Sequence, residues 1–81
     1  MKPNLDKIDD ATLALLHLTS FIEGRGPLAH TRSWKSHDWD AMKRLHEKGL
    51  IGDPVSQAKS VVLSPEGRQR AEELFQKLFC D

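Results

Sequence analysis

The chain has little material for covalent or metal cross-links. Its 81 residues contain one cysteine, Cys80, which excludes a disulfide within the chain. The chain has no Cys-x-x-Cys motif. Its four histidines do not form the i, i+4 pair of helical zinc sites: His17, His30, His37 and His46. We therefore expect no metal, no cofactor and a fold that rests on its apolar core.

Long apolar runs and a charge excess are also missing. No stretch approaches the roughly 20 apolar residues of a membrane span, and the start, Met1–Asn4, lacks the layout of a signal peptide. A cytoplasmic protein without a membrane partner is the default expectation. Twelve Lys and Arg balance twelve Asp and Glu, whereas nucleic-acid-binding domains usually carry excess cations.

Patterns typical of enzymes are absent as well. The sequence has no nucleophile elbow, no glycine-rich phosphate loop and no recognisable pair of catalytic carboxylates. Ser36, His37 and Asp38 are consecutive, and a catalytic triad requires a convergence in space that consecutive residues cannot supply. We expect one small domain over residues 1–81, near the lower size limit for a single core, and not an enzyme.

The first predicted helix runs from about Asp6 to Glu23. Apolar side chains recur there at helical spacing, namely Ile8, Ala11, Leu15, Leu18 and Ile22. A second flank makes the stripe wider than a surface helix needs, namely Leu13, Leu16 and Phe21. The glycines and proline of residues 24–27 end this helix, and the basic stretch Leu28–Lys35 predicts a brief helix or an irregular turn.

A further helix and a small hairpin are predicted next. Ser36 is expected to cap the helix, and Gly49 to end it in the left-handed conformation. The spacing predicts one buried face for this helix, formed by Trp39, Met42, Leu45 and His46. Two short β-prone runs then predict a hairpin, Leu50-Ile51 and Val61-Val62-Leu63.

A long closing helix has the strongest start signal in the chain. Ser64 is a favourable N-cap, and Pro65 suits the first helical position. Gly67 is unfavourable inside a helix and therefore predicts close backbone packing. An amphipathic stripe continues to the end of the helix: Ala71, Leu74, Phe75, Leu78 and Phe79.

The second half of the chain resembles winged-helix regulators of the multiple-antibiotic-resistance type. The resemblance rests on the runs Leu45–Ile51 and Val61–Arg68 with a short insert between them. In those proteins a recognition helix ends in a Lys-Gly-Leu-Ile-like step, and a wing leads into a Ser/Thr-x-Glu-Gly helix start. The resemblance implies a mainly α fold with a small β-hairpin (α+β): a long first helix, a short or irregular second helix, a third helix, the hairpin wing and a long closing helix.

Nearly the whole chain is also similar to a family of small bacterial proteins known as a domain of unknown function. The similar segments are Lys7–Asp9, Trp34-Lys35, His37–Asp40, Leu45–Gly49, Asp53–Val55 and Ala58–Val61. This resemblance supports one domain over the chain and implies no activity.

Winged-helix docking on DNA implies a strip of cations that contacts phosphates. The candidates are Arg32, Lys35, Lys43, Arg44, Lys48 and Lys59. A solvated helix face with Arg44 paired to Asp40 explains the same cations, and Asp38 and Asp40 would repel phosphate. Two functions stay open: a DNA-binding protein such as a transcriptional regulator, or a protein–protein interaction module on a winged-helix scaffold that does not bind nucleic acid.

Trp34 and Trp39 are the only tryptophans, five residues apart. They favour either a base-stacking or peptide-binding pocket or packing of the connector against the third helix. Packing is the preferred interpretation, because a small domain needs its large side chains inside.

The apolar surplus of the first and last helices predicts a homodimer. Winged-helix regulators often dimerise through terminal helices, and a two-fold interface would use the same patch on both copies. The candidate interface residues are Leu13, Leu16, Phe21, Phe75, Leu78 and Phe79. A larger monomer core explains the same residues equally well.

Overall fold

Three helices and a three-stranded antiparallel sheet make up the chain. The computed structural model describes all residues, 1–81. In chain order the elements are α1 (Leu5–Leu18), β1 (Phe21–Glu23), a 3-10 turn (Gly26–Leu28), β2 (His30–Trp34), α2 (Trp39–Glu47), β3 (Ser60–Val62) and α3 (Pro65–Phe79). The strand order is β1-β2-β3. The α+β class is thus confirmed, and none of the helices has the length and hydropathy needed to cross a membrane.

Helix α1 ends five residues earlier than its apolar stripe predicts. The hydroxyl and the N–H of Ser20 both donate to the carbonyl of His17, at 2.7 and 3.1 Å. The hydroxyl of Thr19 lies 2.8 Å from the hydroxyl of Ser33. Hydroxyl side chains that bond the backbone compete with helix continuation. The prediction of helix through Glu23 is therefore wrong, and the chain enters β1 instead.

Strand β2 replaces the brief helix or irregular turn predicted for Leu28–Lys35. It pairs with β1 in the register Phe21↔Arg32. The side chains of Thr31 and Ser33 point towards the core, where the Ser33 hydroxyl donates to the carbonyl of Leu16 at 2.7 Å. Because the buried positions are polar, the alternation of this strand does not appear as a hydropathy pattern.

Helix α2 begins at Trp39 and is capped by Asp38 rather than by Ser36. The Asp38 carboxylate accepts a hydrogen bond from the N–H of Ala41 at 3.0 Å. At the other end Gly49 has φ +76°, and the N–H of Leu50 donates to the carbonyl of Leu45 at 3.1 Å. The predicted left-handed end of this helix is confirmed.

The predicted hairpin is reduced to a single bridge. Ile51 pairs with Leu63, and the N–H of Gly52 donates to the carbonyl of Val62 at 2.8 Å. The main partner of β3 is β2, with Ser33 opposite Val61. The hairpin prediction was wrong in its pairing because β2 itself was not predicted.

Helix α3 confirms the predicted closing helix. The hydroxyl of Ser64 accepts a hydrogen bond from the N–H of Gly67 at 2.9 Å, as an N-cap does. A β-carbon at Gly67 would overlap the backbone carbonyl of Leu50. The close backbone packing predicted at this glycine is therefore confirmed.

One apolar cluster forms the core. It consists of Leu13, Leu16, Met42, Leu45, Leu50, Ile51, Val61, Leu63 and Ala71. Leu13 and Leu16, predicted to lie at a dimer interface, have no exposed surface in the monomer. That assignment is wrong, because both side chains project from α1 into this core cluster and are already buried there.

Candidate nucleic-acid interface

The sheet packs on the core with one face and leaves the other open. Along β2 the side chains of Thr31 and Ser33 are buried, and those of His30, Arg32 and Trp34 alternate with them. Successive side chains of a strand point to opposite faces. The second set therefore lies on the face directed away from α1.

Neighbouring strands add to this open face. Directly paired residues project to the same side of a sheet. Phe21 of β1 and Val62 of β3 both lie opposite Arg32. We call Phe21, His30, Arg32, Trp34 and Val62 the sheet face.

Phe21 and Trp34 form an aromatic pair on the sheet face. Their ring centroids are 5.1 Å apart and the rings are tilted by 36°. Trp34 is 48% exposed, and Trp39, at the start of α2, is 50% exposed. The prediction that both tryptophans pack into the core is therefore wrong. Trp34 instead offers a large aromatic surface to solvent.

The side chain of Arg32 lies beside this pair and is held by β3. Its Nε donates to the hydroxyl of Ser60 at 2.7 Å, and its Nη2 donates to the Ser60 carbonyl at 2.9 Å. A guanidinium has five N–H donors, so three remain for a ligand. The two bonds fix its position before any ligand binds.

The part of the chain that forms the sheet is basic although the whole chain is neutral. Residues 20–35 and 50–64, which form the strands, the Ile51 bridge and the turns beside them, hold four cations and two acids: Arg25, Arg32, Lys35, Lys59, Glu23 and Asp53. The imidazole of His30 lies 3.5 Å from the carboxylate of Glu23. The balancing acids belong to the helices and their flanks. The molecule is therefore polarised, with its positive part at the sheet.

A cleft of 330 Å³ continues the sheet face towards the start of α3. His30 and Val62 belong to both surfaces, and Arg68 adds a cation at the rim. The remaining walls are mostly apolar and include Ile22 and Leu63. The cleft and the sheet face therefore form one continuous surface.

Two of the predicted phosphate-binding cations serve a buried carboxylate. Arg44 Nε lies 2.9 and 3.0 Å from the two carboxylate oxygens of Asp9, and Lys48 Nζ lies 2.9 Å from one of them. The Asp9 side chain is 1% exposed. Sequence reasoning paired Arg44 with Asp40, because its true partner is 35 residues away in the chain.

The ion pairs outweigh the cost of burying Asp9. Burial raises the pKa of this carboxyl group, but hydrogen bonds from Arg44 and Lys48 together with their charges bring it below its ordinary value. Hydrogen bonding to Asp9 likewise raises the pKa of Lys48. The cluster ties α1 to α2 and leaves these two cations little freedom to bind phosphate.

The six predicted cations do not form one strip. Besides Arg32, Arg44 and Lys48, the ammonium group of Lys35 is also bound internally, donating to the carbonyl and hydroxyl of Ser56 at 2.7 and 3.1 Å. Lys43 and Lys59 are exposed. The structure brings Arg32 together with Trp34 instead, and with Phe21, which sequence reasoning had placed on a helix.

Comparison with known proteins places the chain among small bacterial proteins. A family model described as "Domain of unknown function (DUF6429)" matches residues 4–81. The "Uncharacterized protein y4hR" of Sinorhizobium fredii (strain NBRC 101917 / NGR234) is 52% identical over 79 residues, which are 98% of this chain and 97% of that protein. No solved structure matches the chain.

Proposed function

The chain belongs to the DUF6429 family, a domain of unknown function, and we propose that this protein binds single-stranded nucleic acid through its sheet face. One observation carries the proposal. The tilted aromatic pair Phe21–Trp34, in which the Trp34 ring is half-exposed, lies on an open sheet face beside the fixed guanidinium of Arg32. Each part of this arrangement has a role in binding an unpaired strand.

The aromatic pair supplies a stacking platform. Unpaired bases expose their π-faces, and each base that stacks on an aromatic side chain contributes about 1–3 kcal/mol regardless of its identity. Trp34 is the larger and more exposed ring of the pair, so we expect it to contribute most. Phe21 holds its orientation by packing against it. Open sheets with exposed aromatic residues are a common solution for binding single strands.

Arg32 and its neighbours supply the phosphate contacts. The free N–H groups of Arg32 project beside the platform, where the backbone of a stacked strand would run. Arg25 and Lys59 are exposed on segments that adjoin the sheet. With these three cations and Arg68 at the rim of the cleft in reach, the logarithm of the binding constant should fall with the logarithm of salt concentration at a slope of about −2 to −3.

A duplex is a poorer ligand for this surface. Bases inside a double helix are stacked on one another and cannot also stack on Trp34. Groove docking by α2 would place Asp38 and Asp40 near phosphates, while Arg44 and Lys48 are bound to Asp9. The geometry therefore favours single strands over the duplex DNA that the winged-helix resemblance implies.

A winged-helix relationship remains a proposal for Leu45 to Phe79. The order of α2, the Ile51–Leu63 bridge and α3 supports it. In that case Lys43 and Lys59 would be the cations left for groove contacts. Two lysines are few for duplex binding, in which phosphate neutralisation supplies most of the affinity.

A second candidate function is protein binding at the same face. Trp and Arg are the residues most enriched at the centres of protein interfaces, and Trp34 and Arg32 lie together here. Affinity capture from a nuclease-treated cell lysate tests this candidate. It would be supported by a partner protein that binds the wild type and Trp39→Ala but does not bind Trp34→Ala.

Fluorescence anisotropy tests the proposed function. The probes are labelled oligothymidylate and oligouridylate of about twelve nucleotides and a duplex of equal length, titrated at about 50 mM salt. We expect binding to the single strands and weaker binding to the duplex. Trp34→Ala should weaken single-strand binding roughly 5- to 100-fold. Trp39→Ala is the matched control, because Trp39 is equally exposed but lies on α2.

Two results would contradict the proposal. One is that the protein binds neither oligothymidylate nor oligouridylate at low salt. The other is equal weakening by Trp34→Ala and Trp39→Ala, which would mean that binding does not depend on the sheet face. Circular dichroism of both variants checks that each retains its helices.

A further inference from the structure

Helices α1 and α3 expose apolar surface that lies outside the sheet face. On α1 the side chains of Ile8, Leu15 and Leu18 are exposed, and their spacing places them on one side of the helix. Ala11 lies between them on the same side. On α3, Leu78 and Phe79 are also exposed. Neither set belongs to the core cluster.

The two sets meet in a groove. Ala11 of α1 lines a groove of 460 Å³ together with Leu74, Leu78 and Phe79 of α3. The stripe on α1 thereby continues into the apolar end of α3. We call Ile8, Ala11, Leu15, Leu18, Leu74, Leu78 and Phe79 the helix face.

We infer that the helix face is a homodimer interface, covered by the helix face of a second copy of this chain. The five exposed large side chains are between 37% and 63% exposed. At roughly 150 Å² for each fully exposed side chain, they present about 350 Å² per copy and about 700 Å² for two. A standard interface buries about 1,200–2,000 Å² in total, somewhat more than half of it apolar. The apolar area that two copies present therefore matches the apolar part of an interface at the lower end of the standard size range.

Charges at the groove suit a two-fold arrangement. Lys7, Lys77 and Asp10 line the groove beside the apolar residues. In an isologous interface each contact occurs twice, with the partners exchanged. Both signs of charge on one face therefore allow Lys77 of one copy to approach Asp10 of the other, beside the exposed pair of Asp10 with Arg70 at 3.6 Å within each copy. A face of single charge would repel its own copy.

This interface differs from the one expected from the sequence and is independent of the proposed function. It excludes the buried Leu13 and Leu16 and retains Leu78 and Phe79. Phe75 packs against His17 within the monomer, with ring centroids 5.2 Å apart, and Phe21 belongs to the sheet face. The sheet face contains none of the helix-face residues, so a dimer would display two nucleic-acid sites.

Analytical ultracentrifugation under reducing conditions tests the dimer, since reduction prevents linkage through the exposed Cys80. We expect the wild type to approach twice the 9.2 kDa monomer mass at about 100 µM. Leu18→Lys should raise the dimer dissociation constant at least tenfold, because it places a charge in the apolar interface. Leu78→Lys should do the same from the other helix.

Ile22→Lys is the matched control. Ile22 is an aliphatic side chain on β1, exposed to the same 63% as Leu18, and lies outside the helix face. It should leave the dimer intact. A wild type that stays at 9.2 kDa at about 100 µM overturns the inference, and so does equal dissociation by Leu18→Lys and Ile22→Lys. Oligonucleotide binding by a monomeric wild type would leave the proposed function standing without the dimer.

Discussion

At the scale of single residues, Asp9 is the least expected feature of the molecule. A carboxylate without exposed surface would be costly if it were alone. Arg44 and Lys48 approach it from α2, and both remain partly exposed, with 25% and 39% of their side chains in solvent. Loss of a cation should therefore destabilise the fold more than loss of the carboxylate, because the cations can be solvated and the carboxylate cannot. Sequence spacing could not predict the cluster, because Asp9 is in α1 and its partners are in α2.

This asymmetry predicts the effects of substitution. Arg44→Met leaves a buried carboxylate with one partner and should lower the free energy of unfolding by more than Asp9→Asn does. Asp9→Asn leaves cations that can turn to solvent and should cost less, about 1–3 kcal/mol. Urea denaturation measures both. Glu73→Gln is the control, because the exposed Glu73 carboxylate only accepts a hydrogen bond from Gln69 at 3.3 Å, and it should change stability by less than about 1 kcal/mol. The reverse order of the first two values would contradict this account.

The lowered pKa of Asp9 also predicts a dependence of stability on pH. The pKa in the folded state lies below that of the unfolded chain, which is about 3.9. The contribution of the ion pairs is therefore complete above the unfolded-state pKa and is lost as pH falls through the folded-state pKa. Wild type should lose more stability than Asp9→Asn between about pH 4 and pH 2.5. A constant difference between the two across that range would show that Asp9 does not titrate as described.

Gly67 is the position at which α3 packs closely on the backbone of Leu50, just after the end of α2. Gly67→Ala would gain up to about 1 kcal/mol of helix propensity, but the new methyl group would overlap the carbonyl of Leu50. We expect a net loss of about 1–3 kcal/mol in thermal or urea unfolding. Gly52→Ala is the control, since a β-carbon there would have only ordinary contacts, 3.8 Å or longer. Stabilisation by Gly67→Ala would contradict the close packing of α3 on Leu50.

At the scale of elements, the sequence predicted the helix ends that are determined by hydrogen bonds between residues close in the chain. The cap of α3 and the left-handed end of α2 follow from Ser64 and Gly49, whose hydrogen bonds lie within a few residues. Strand β2 was not predicted because its core-facing residues, Thr31 and Ser33, are hydroxyl residues rather than apolar ones, and the Ser33 hydroxyl donates to the carbonyl of Leu16, 17 residues away. The same omission misplaced Phe21 on a helix and hid the sheet face. The Thr19-Ser20 pair was the available signal that α1 ends there.

Ser33 tests whether a buried hydroxyl fixes α1 on the sheet. Ser33→Ala removes the hydrogen bond to the carbonyl of Leu16 and the contact with Thr19. It should lower the free energy of unfolding by about 1–3 kcal/mol, because a buried carbonyl loses its donor. Exposed Ser36 is the control, and Ser36→Ala should have an effect within about 0.5 kcal/mol. Equal effects of both substitutions would mean that the Ser33 bonds contribute nothing to stability.

At the scale of the whole molecule, zero net charge conceals a polarised distribution. The net charge of the whole chain argues against nucleic-acid binding. However, the cations Arg25, Arg32 and Lys59 lie on or beside the strands, while most acids lie on or beside the helices. Composition alone cannot reveal this separation, because it depends on which segments pair in space. Two of the five Trp and Phe residues, Trp34 and Phe21, share the basic sheet. The sheet face is therefore the surface on which a function is best sought.

Nuclear magnetic resonance of the ¹⁵N-labelled chain, titrated with an oligothymidylate of about twelve nucleotides, tests the central claim most directly. It locates a bound strand without relying on any substitution. We predict chemical-shift changes at the amides of Phe21–Glu23, His30–Trp34 and Ser60–Val62 and at the indole N–H of Trp34, with the indole of Trp39 unaffected. Changes centred on α2 around Lys43, or no changes at low salt, would contradict nucleic-acid binding by the sheet face.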